Sequence, residues 1–237
     1  MMRRAAAAVL VLALGAIFAT VALDFREQTA LAPLAEAYVE MVPRELGAPN
    51  VITGILLNYR AFDTLGEVAV LFMVAACIGL LLGPGRKPED AGRPGDTARD
   101  ESEPEPSTEI VQNGTDILVP LIALFAVYIV LHGHLGPGGG FQGGAVVASC
   151  VLLMLLARPD YRVRLAQLSV AESLAGVFIV LAGMAGLVFA GGFLDSRVLP
   201  LGEFGTLFSA GAIPILSVLL GTKVGCELSV IIERFRA

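Results

Sequence analysis

The 237-residue sequence has no tryptophan, two histidines, three cysteines and only 16% charged residues. A soluble domain usually carries about a quarter charged residues. No basic face stands out, so the composition argues against a nucleic-acid partner. All three cysteines lie inside apolar segments and form no CxxC pair, which favours small buried side chains over a metal site or a disulfide. They are Cys77, Cys150 and Cys226.

Long apolar runs are what the sequence has in abundance, and the mean hydropathy is +0.77. Several runs approach or exceed the roughly 20 residues that a helix needs to cross a bilayer. We therefore predict an all-α integral membrane protein. The six expected transmembrane helices cover residues 5–23, 64–82, 115–131, 143–157, 170–190 and 206–232. A signal peptide is the competing interpretation of the first run, which is longer than a usual signal core.

The pattern divides the chain into a two-helix module (1–83) and a four-helix module (113–237). Residues 84–112 join them as a predicted disordered cytoplasmic linker, because 84–107 are rich in proline, glycine and charge. Apolar residues over 31–42 recur at helical spacing, which predicts a short helix, either amphipathic at the membrane surface or packed as an ordinary loop helix.

Residues 50–83 form one apolar stretch that is too long for one span. A single helix would measure about 50 Å, whereas the hydrocarbon core is ~30 Å thick. We expect residues 51–57 to lie at the interface and the break to fall near Gly66. We also expect Pro214 to kink the last span.

The distribution of Lys and Arg predicts the orientation. With the N-terminus inside, eleven of the 16 basic residues fall in inner segments and four in outer segments. Positive charge favours the cytoplasmic side. We expect both termini and the linker in the cytoplasm, with the glycine-rich loop outside.

Ionisable side chains inside predicted spans are the first clue to function. Such groups are costly in hydrocarbon and normally face protein, water or one another. Asp63 and Glu67 are four residues apart and share a helix face. Asp63 is expected at the outer interface, where a solvated carboxylate needs no further explanation. Glu67 lies about one turn deeper, and either an ion or proton path or a structural hydrogen bond would explain it.

Lys223 and Glu227 form a second pair with the same spacing. Counted from residue 206, Lys223 lies in the inner third of its span, so it could extend to the cytoplasmic interface or lose its proton and join a relay. Gly221 and Gly225 form a GxxxG pair that lets another helix approach closely. Glu172, early in the fifth span, is expected at the interface.

Residues 132–144, HGHLGPGGGFQGG, hold both histidines and 7 of the 27 glycines. We call them the glycine stretch. Irregular backbone at membrane depth is tolerated only when it is buried in protein or lines a cavity. We therefore expect a packing and turn element that can dock on a partner subunit. The expected turn residues are Pro137, Gly138, Gly139, Gly140, Gly143 and Gly144.

A metal at His132 and His134 is disfavoured, because residues two apart do not share a helical face and few other ligands are near. Capping or hydrogen bonding to the glycine stretch is the preferred interpretation. Residues 138–143 fit GxGxxG, but no strand precedes them. The sequence holds no nucleophile–base pair and no cofactor ligand set. We expect no metal, no cofactor and no enzymatic activity of the chain alone.

Three stretches resemble known families. HGHLGPGGGFQGGAVVA (132–148) and FSAGAIPILSVLLGTKVGCELS (208–229) resemble the signature of the MnhB/MrpB-type subunit of multisubunit sodium/proton antiporters (Mrp complexes). NVITGILLNYRAFDTLGEVAVLF (50–72) resembles the C-terminal membrane segment of the large antiporter subunit. In membrane-bound hydrogenases that segment is a separate small subunit. The chain therefore resembles a fusion of the two.

This resemblance implies a multi-pass subunit of a prokaryotic cell (inner) membrane complex that couples Na⁺ and H⁺ movement. Its partners would be the other membrane subunits and the lipid bilayer. The matching elements FDTLGE and GxKVGxEL make Asp63, Glu67, Lys223 and Glu227 the candidate ion or proton path. Glu172, His132 and His134 are secondary candidates. A redox-driven, hydrogenase-like complex related to complex I is the main alternative. A purely structural scaffold is another, and a self-contained transporter is disfavoured because no inverted repeat is visible.

Overall fold

The computed structural model describes residues 2–25, 30–82 and 107–236. Within these ranges the fold is all α-helical, and six helices are long and apolar enough to span a bilayer, as predicted. In chain order the helices are α1 (Met2–Asp24), α2 (Pro33–Met41), α3 (Val51–Gly54), α4 (Ala61–Leu82), α5 (Glu109–His132), α6 (Gly140–Ala157), α7 (Leu165–Phe189) and α8 (Ile213–Arg236). The candidate spans are α1 and α4 to α8.

The chain divides into two compact units, residues 1–37 and 38–237. Helix α1 forms most of the first unit, and its apolar side chains are exposed, as expected of a surface that faces lipid. The second unit contains α3 to α8. Residues 84–106 of the predicted linker lie outside the described residues, whereas residues 109–112 already belong to α5.

Helix α8 is the central helix of the second unit. It packs against α6, α7, α4 and α5. Of its most apolar 18-residue window 56% is buried, compared with 6% for α4. Polar groups carried by α8 can therefore be kept away from lipid by the surrounding helices.

Helices α6 and α8 make backbone-to-backbone contact through two GxxxG pairs. A Cβ added to Gly144 would lie 2.7 Å from the Gly221 carbonyl oxygen, and one added to Gly225 would lie 3.3 Å from the Gly144 carbonyl oxygen. A Cβ on Gly140 would collide with the Ser217 carbonyl oxygen. Small residues allow this approach. The glycine stretch thus supplies the partner of the GxxxG pair on α8.

The predicted division of residues 50–83 is correct, but its position near Gly66 is wrong. Asn50 caps α3 by accepting from the backbone N–H groups of Ile52 and Thr53. A π-helical turn over Ile55–Tyr59 follows, and α4 begins at Ala61. The Thr64 hydroxyl donates to the Leu56 carbonyl oxygen at 2.8 Å. This bond satisfies one of the carbonyls that the break leaves free.

The last span begins at Ile213 rather than at residue 206, and Pro214 does not kink it. Left-handed residues in the loop before the helix include Gly205 (φ 82°), Ala210 (φ 65°) and Gly211 (φ 59°). Proline is tolerated in the first turn of a helix, where its missing N–H has no intrahelical acceptor. With this start, Lys223 lies about 15 Å along α8, near its midpoint. The predicted position in the inner third was wrong.

Candidate functional site

Three ionisable side chains meet between α7 and α8, and we call them the Lys223 cluster: Lys223, Glu227 and Glu172. The Lys223 Nζ donates to Glu227 Oε1 at 2.7 Å and to Glu172 Oε1 at 3.0 Å. Lys223 is 8% exposed, Glu172 is 9% exposed and Glu227 is fully buried. Two of the predicted path residues are therefore paired deep in the helix bundle.

The neighbouring helices shape the space around the Lys223 side chain. Gly176 lies one turn after Glu172 on α7, and a Cβ built there would be 3.8 Å from Lys223 Nζ, at ordinary contact distance. On the α4 side, the Phe72 ring centre is 5.5 Å from Nζ, which is a cation–π distance. The ammonium is thus enclosed by two carboxylates, a glycine and an aromatic face.

The expectation that Glu172 lies at the interface was wrong. Glu172 is 51 residues from Lys223, so no local spacing links them. One signal was available, because an ionisable group within a span needs a partner. Glu172 is in the fifth predicted span and Lys223 is in the sixth. Requiring a partner for each would have predicted an ion pair between them.

Asp63 and Glu67 occupy a different environment. Asp63 forms an ion pair with Arg60, and both side chains are about half exposed. Glu67 is exposed and lines an open cavity of about 310 Å³. Thr53, Thr64 and residues 138–142 of the glycine stretch also line it. Among the described residues, no ion pair or side-chain hydrogen bond joins this group to the Lys223 cluster.

The two histidines of the glycine stretch have separate roles in packing. The His132 ring stacks on Tyr128 with ring centres 5.0 Å apart. His134 is fully buried, and its Nε2 is 3.3 Å from the Thr206 carbonyl oxygen. Burial lowers the pKa of His134 below its usual 6.5, because desolvation disfavours the charged ring. Across the described ranges, no group of three or more His, Cys, Asp and Glu is arranged to hold a metal.

Residues of the first predicted module hold the glycine stretch in place through hydrogen bonds. The Asn50 side-chain amide donates to the carbonyl oxygens of Gly133 (2.7 Å) and Gly136 (2.6 Å). The Asn50 backbone N–H donates to the His134 carbonyl oxygen at 3.0 Å, and the Thr53 hydroxyl donates to Gly133 at 2.8 Å. The loop therefore docks within its own chain. Sequence reasoning missed Asn50, which has no periodic or charge signal.

The turn at Gly138 shows why glycine is required there. Its φ is +159°, and a Cβ would lie 2.6 Å from the Ile129 carbonyl oxygen. Because that oxygen belongs to the backbone of α5, it cannot move aside cheaply. The glycine stretch is therefore a packing and turn element in this fold.

These features define a multi-pass membrane protein with a buried ionic cluster, and two known protein families match its sequence. Residues 110–230, just over half of the chain, match the family described as a domain related to the MnhB subunit of Na⁺/H⁺ antiporter. Residues 2–95 match the MbhE family, described as the E subunit of MBH. The chain belongs to the MnhB-related family and carries an MbhE-like part before the MnhB-like domain.

Relatives occur in both archaea and bacteria. An uncharacterized protein of Methanocaldococcus jannaschii is 30% identical over 206 residues, which cover 76% of this chain and 74% of that protein. The B subunit of the Na⁺/H⁺ antiporter of Bacillus subtilis is 39% identical over 88 residues, covering 36% of this chain and 62% of that protein. The chain thus belongs among multi-pass prokaryotic membrane proteins.

A solved structure matches almost the whole chain. A chain of the membrane-bound sulfane sulfur reductase, an archaeal respiratory membrane complex, is 36% identical, with a TM-score of 0.77 over 99% of this chain and 98% of that chain. The two parts are therefore also combined in a chain of that respiratory membrane complex. The predicted fusion of an MnhB-like subunit with the small hydrogenase-type subunit is confirmed.

Proposed function

We propose that this protein is a non-catalytic membrane subunit of a multisubunit cation/proton antiporter complex, in which it contributes to assembly and to the ion or proton path. The family match and the B. subtilis antiporter subunit support this function. In the proposed topology both termini and the linker face the cytoplasm, as the distribution of Lys and Arg favours. Other membrane subunits would cover the exposed apolar faces.

The observation that carries the proposal is the Lys223 cluster. A buried ion pair contributes little or nothing to stability compared with apolar side chains of the same volume. Ionisable residues within a bilayer commonly mark ion pathways and proton relays. Lys223 lies near the midpoint of the central helix and is hydrogen-bonded to two glutamates. This arrangement fits a role in moving ions or protons better than a role in packing.

Asp63 and Glu67 are a second candidate group on the same proposed path. Glu67 lines the open cavity beside the glycine stretch, and the cavity is large enough to hold water molecules. Asp63 is held at the break between α3 and α4 by Arg60. In this proposal Glu67 exchanges protons or cations with the aqueous side, and the Lys223 cluster acts farther inside the bundle.

The test is transport by the assembled complex in membrane vesicles. Glu67→Gln and Glu227→Gln should each abolish most Na⁺-dependent proton exchange while the complex still assembles, because each removes an ionisable group and keeps the shape. Glu203→Gln is the matched control, since Glu203 is exposed in a loop before α8. Exchange at the wild-type rate in the Glu227→Gln complex would remove the cluster from the path.

A redox-driven ion-pumping complex is the second candidate. It is favoured by the likeness to the sulfane sulfur reductase chain over nearly the full length and by the match to the MbhE family. Purification of the native complex separates the two functions. Iron–sulfur or nickel–iron subunits that co-purify with this chain would establish the redox complex, and their absence from an active antiporter would exclude it.

A further inference from the structure

The charges of the Lys223 cluster do not balance. One ammonium faces two carboxylates, so the fully ionised cluster carries one excess negative charge. Lys223 lies about 15 Å along α8, near the middle of a candidate span. An uncompensated charge at such a position is strongly unfavourable, because neither water nor a counter-ion solvates it. The cluster therefore needs one further positive charge to become electrically neutral.

No other described side chain supplies that charge. Helix α4 presents Phe72 to the cluster, and α6 meets α8 through glycines. The arginines near the end of α8 are engaged elsewhere: Arg234 donates to the Ala75 carbonyl oxygen, and Arg236 pairs with Glu233. Cys226 is the other titratable group beside the cluster, and it adds no positive charge.

The structure also leaves an acceptor free inside the cluster. Glu227 is fully buried, and its Oε1 accepts from Lys223. Its Oε2 is buried and has no hydrogen-bond partner among the described residues. A carboxylate oxygen that is both desolvated and unpaired is a place where a proton would remove a charge and an unsatisfied group together.

We propose that the Lys223 cluster is a binding site for one exchangeable proton, which the carboxyl groups of Glu172 and Glu227 share. This inference rests on the proposed function and names the ion that this site handles. On loading, the bond to hydrogen in a hydronium ion or another protonated donor breaks and an O–H bond forms on one carboxyl group, so the cluster becomes neutral. On release that O–H bond breaks, the proton passes to water or another base, and the excess negative charge returns.

A sodium ion fits the same position poorly. Hard metal cations take several oxygen ligands around an open centre. Here the Lys223 ammonium already occupies the place between the two carboxylates, at 2.7 and 3.0 Å. No third carboxylate joins them in the part of the chain that the structure describes. The site accordingly takes a proton, and sodium would have to bind elsewhere in the complex.

The test is infrared difference spectroscopy of the purified complex at neutral pH, using the C=O stretch of a protonated carboxylic acid. Wild type minus Glu172→Gln should show the loss of one such band, and wild type minus Glu227→Gln should show the same loss. Either change leaves one lysine with one glutamate, a neutral pair that needs no proton. The wild-type band should also shift in D₂O.

Lys223→Met is the opposite perturbation. Without the ammonium both glutamates should be protonated, so the band should become about twice as strong. The double variant Lys223→Met/Glu172→Gln should restore a single band on Glu227. A band that survives in either single glutamine variant, or a wild-type complex without the band, would overturn the shared-proton site. Size-exclusion chromatography of each variant identifies complexes that fail to assemble, and the D₂O measurement on wild type does not depend on them.

Transport assays on the same preparations separate this inference from the proposed function. If the bands behave as described but ion exchange is unchanged in both glutamine variants, the proton site stands and its role in transport is wrong. If exchange is lost but the wild-type band is absent, the role in transport stands and the shared proton is wrong. A band that disappears on adding Na⁺ would show that sodium competes for the site, contrary to the proposal.

Discussion

The Lys223 cluster and the Asp63–Glu67 region both place acids near a base on a membrane helix, yet their surroundings are opposite. The cluster lies on α8, which α6 approaches at backbone distance and α7 covers with Glu172. Asp63 and Glu67 lie on α4, where most side chains are exposed. The same i, i+4 spacing therefore occurs in a buried ionic site in one place and in an exposed site beside an open cavity in the other. Packing around the helix decides the role, not spacing along it.

The largest effect should come from closing the space between α6 and α8. In Gly144→Leu the new side chain meets the Gly221 carbonyl oxygen and Val224, so the helices must separate. We expect a cost of about 3 kcal/mol or more and loss of the assembled complex on size-exclusion chromatography. Gly66→Leu on α4 is the matched control, because nothing lies within 4 Å of its Cβ position. Equal assembly of the two variants would show that the difference in packing is unimportant.

Replacing the basic residue of each region, Lys223 or Arg60, should change the stability of the complex by different amounts. Lys223→Met leaves two buried carboxyl groups without their partner, and breaking a buried pair is strongly destabilising. Because both carboxyl groups can take up protons, we expect the low end of the usual range, about 3 kcal/mol. Arg60→Met breaks an exposed pair with Asp63, which is worth about 0–1 kcal/mol. Thermal unfolding of the purified complexes measures both. A larger loss of stability in the Arg60 variant would contradict the assignment of closed and open sites.

The smallest effect concerns pH and the glycine stretch between the two regions. The pKa of His134 is lowered by burial, so below its usual 6.5 the unfolded chain binds a proton that the folded chain does not. Stability is therefore fully present above pH 6.5 and decreases as the pH falls toward the folded pKa. We expect a decrease of about 1 kcal/mol or less in thermal scans between pH 7.5 and 5.5. His134→Gln should flatten this dependence, and an unchanged slope would assign it to other groups.

The sequence was sufficient for the architecture because apolar run length reports bilayer crossing directly. All six spans were located from it, and so was the need for a break within residues 50–83, although not its position. The first and last residues of the helices were harder to predict. The start of α8 depends on left-handed residues such as Ala210, and a non-glycine residue with positive φ has no sequence signature.

Only part of the candidate site could be predicted from the sequence. Lys223 and Glu227 are local neighbours on one helix, whereas Glu172 reaches them through tertiary packing of α7 against α8. The hydrogen bonds from Asn50 to the glycine stretch likewise join distant parts of the chain, since Asn50 and Gly133 are 83 residues apart in the sequence. Spacing arguments cover one element at a time, so groups assembled from two elements escape them.

The most direct measurement is Na⁺-dependent proton exchange by the assembled complex carrying Glu172→Gln, compared with Glu203→Gln. Glu172 tests the structure most sharply, because only the folded chain places it on Lys223 at 3.0 Å. We predict that Glu172→Gln loses most of the exchange while assembly is retained and that the Glu203 variant exchanges like wild type. Wild-type exchange in the Glu172→Gln complex would contradict the role of the Lys223 cluster in ion movement.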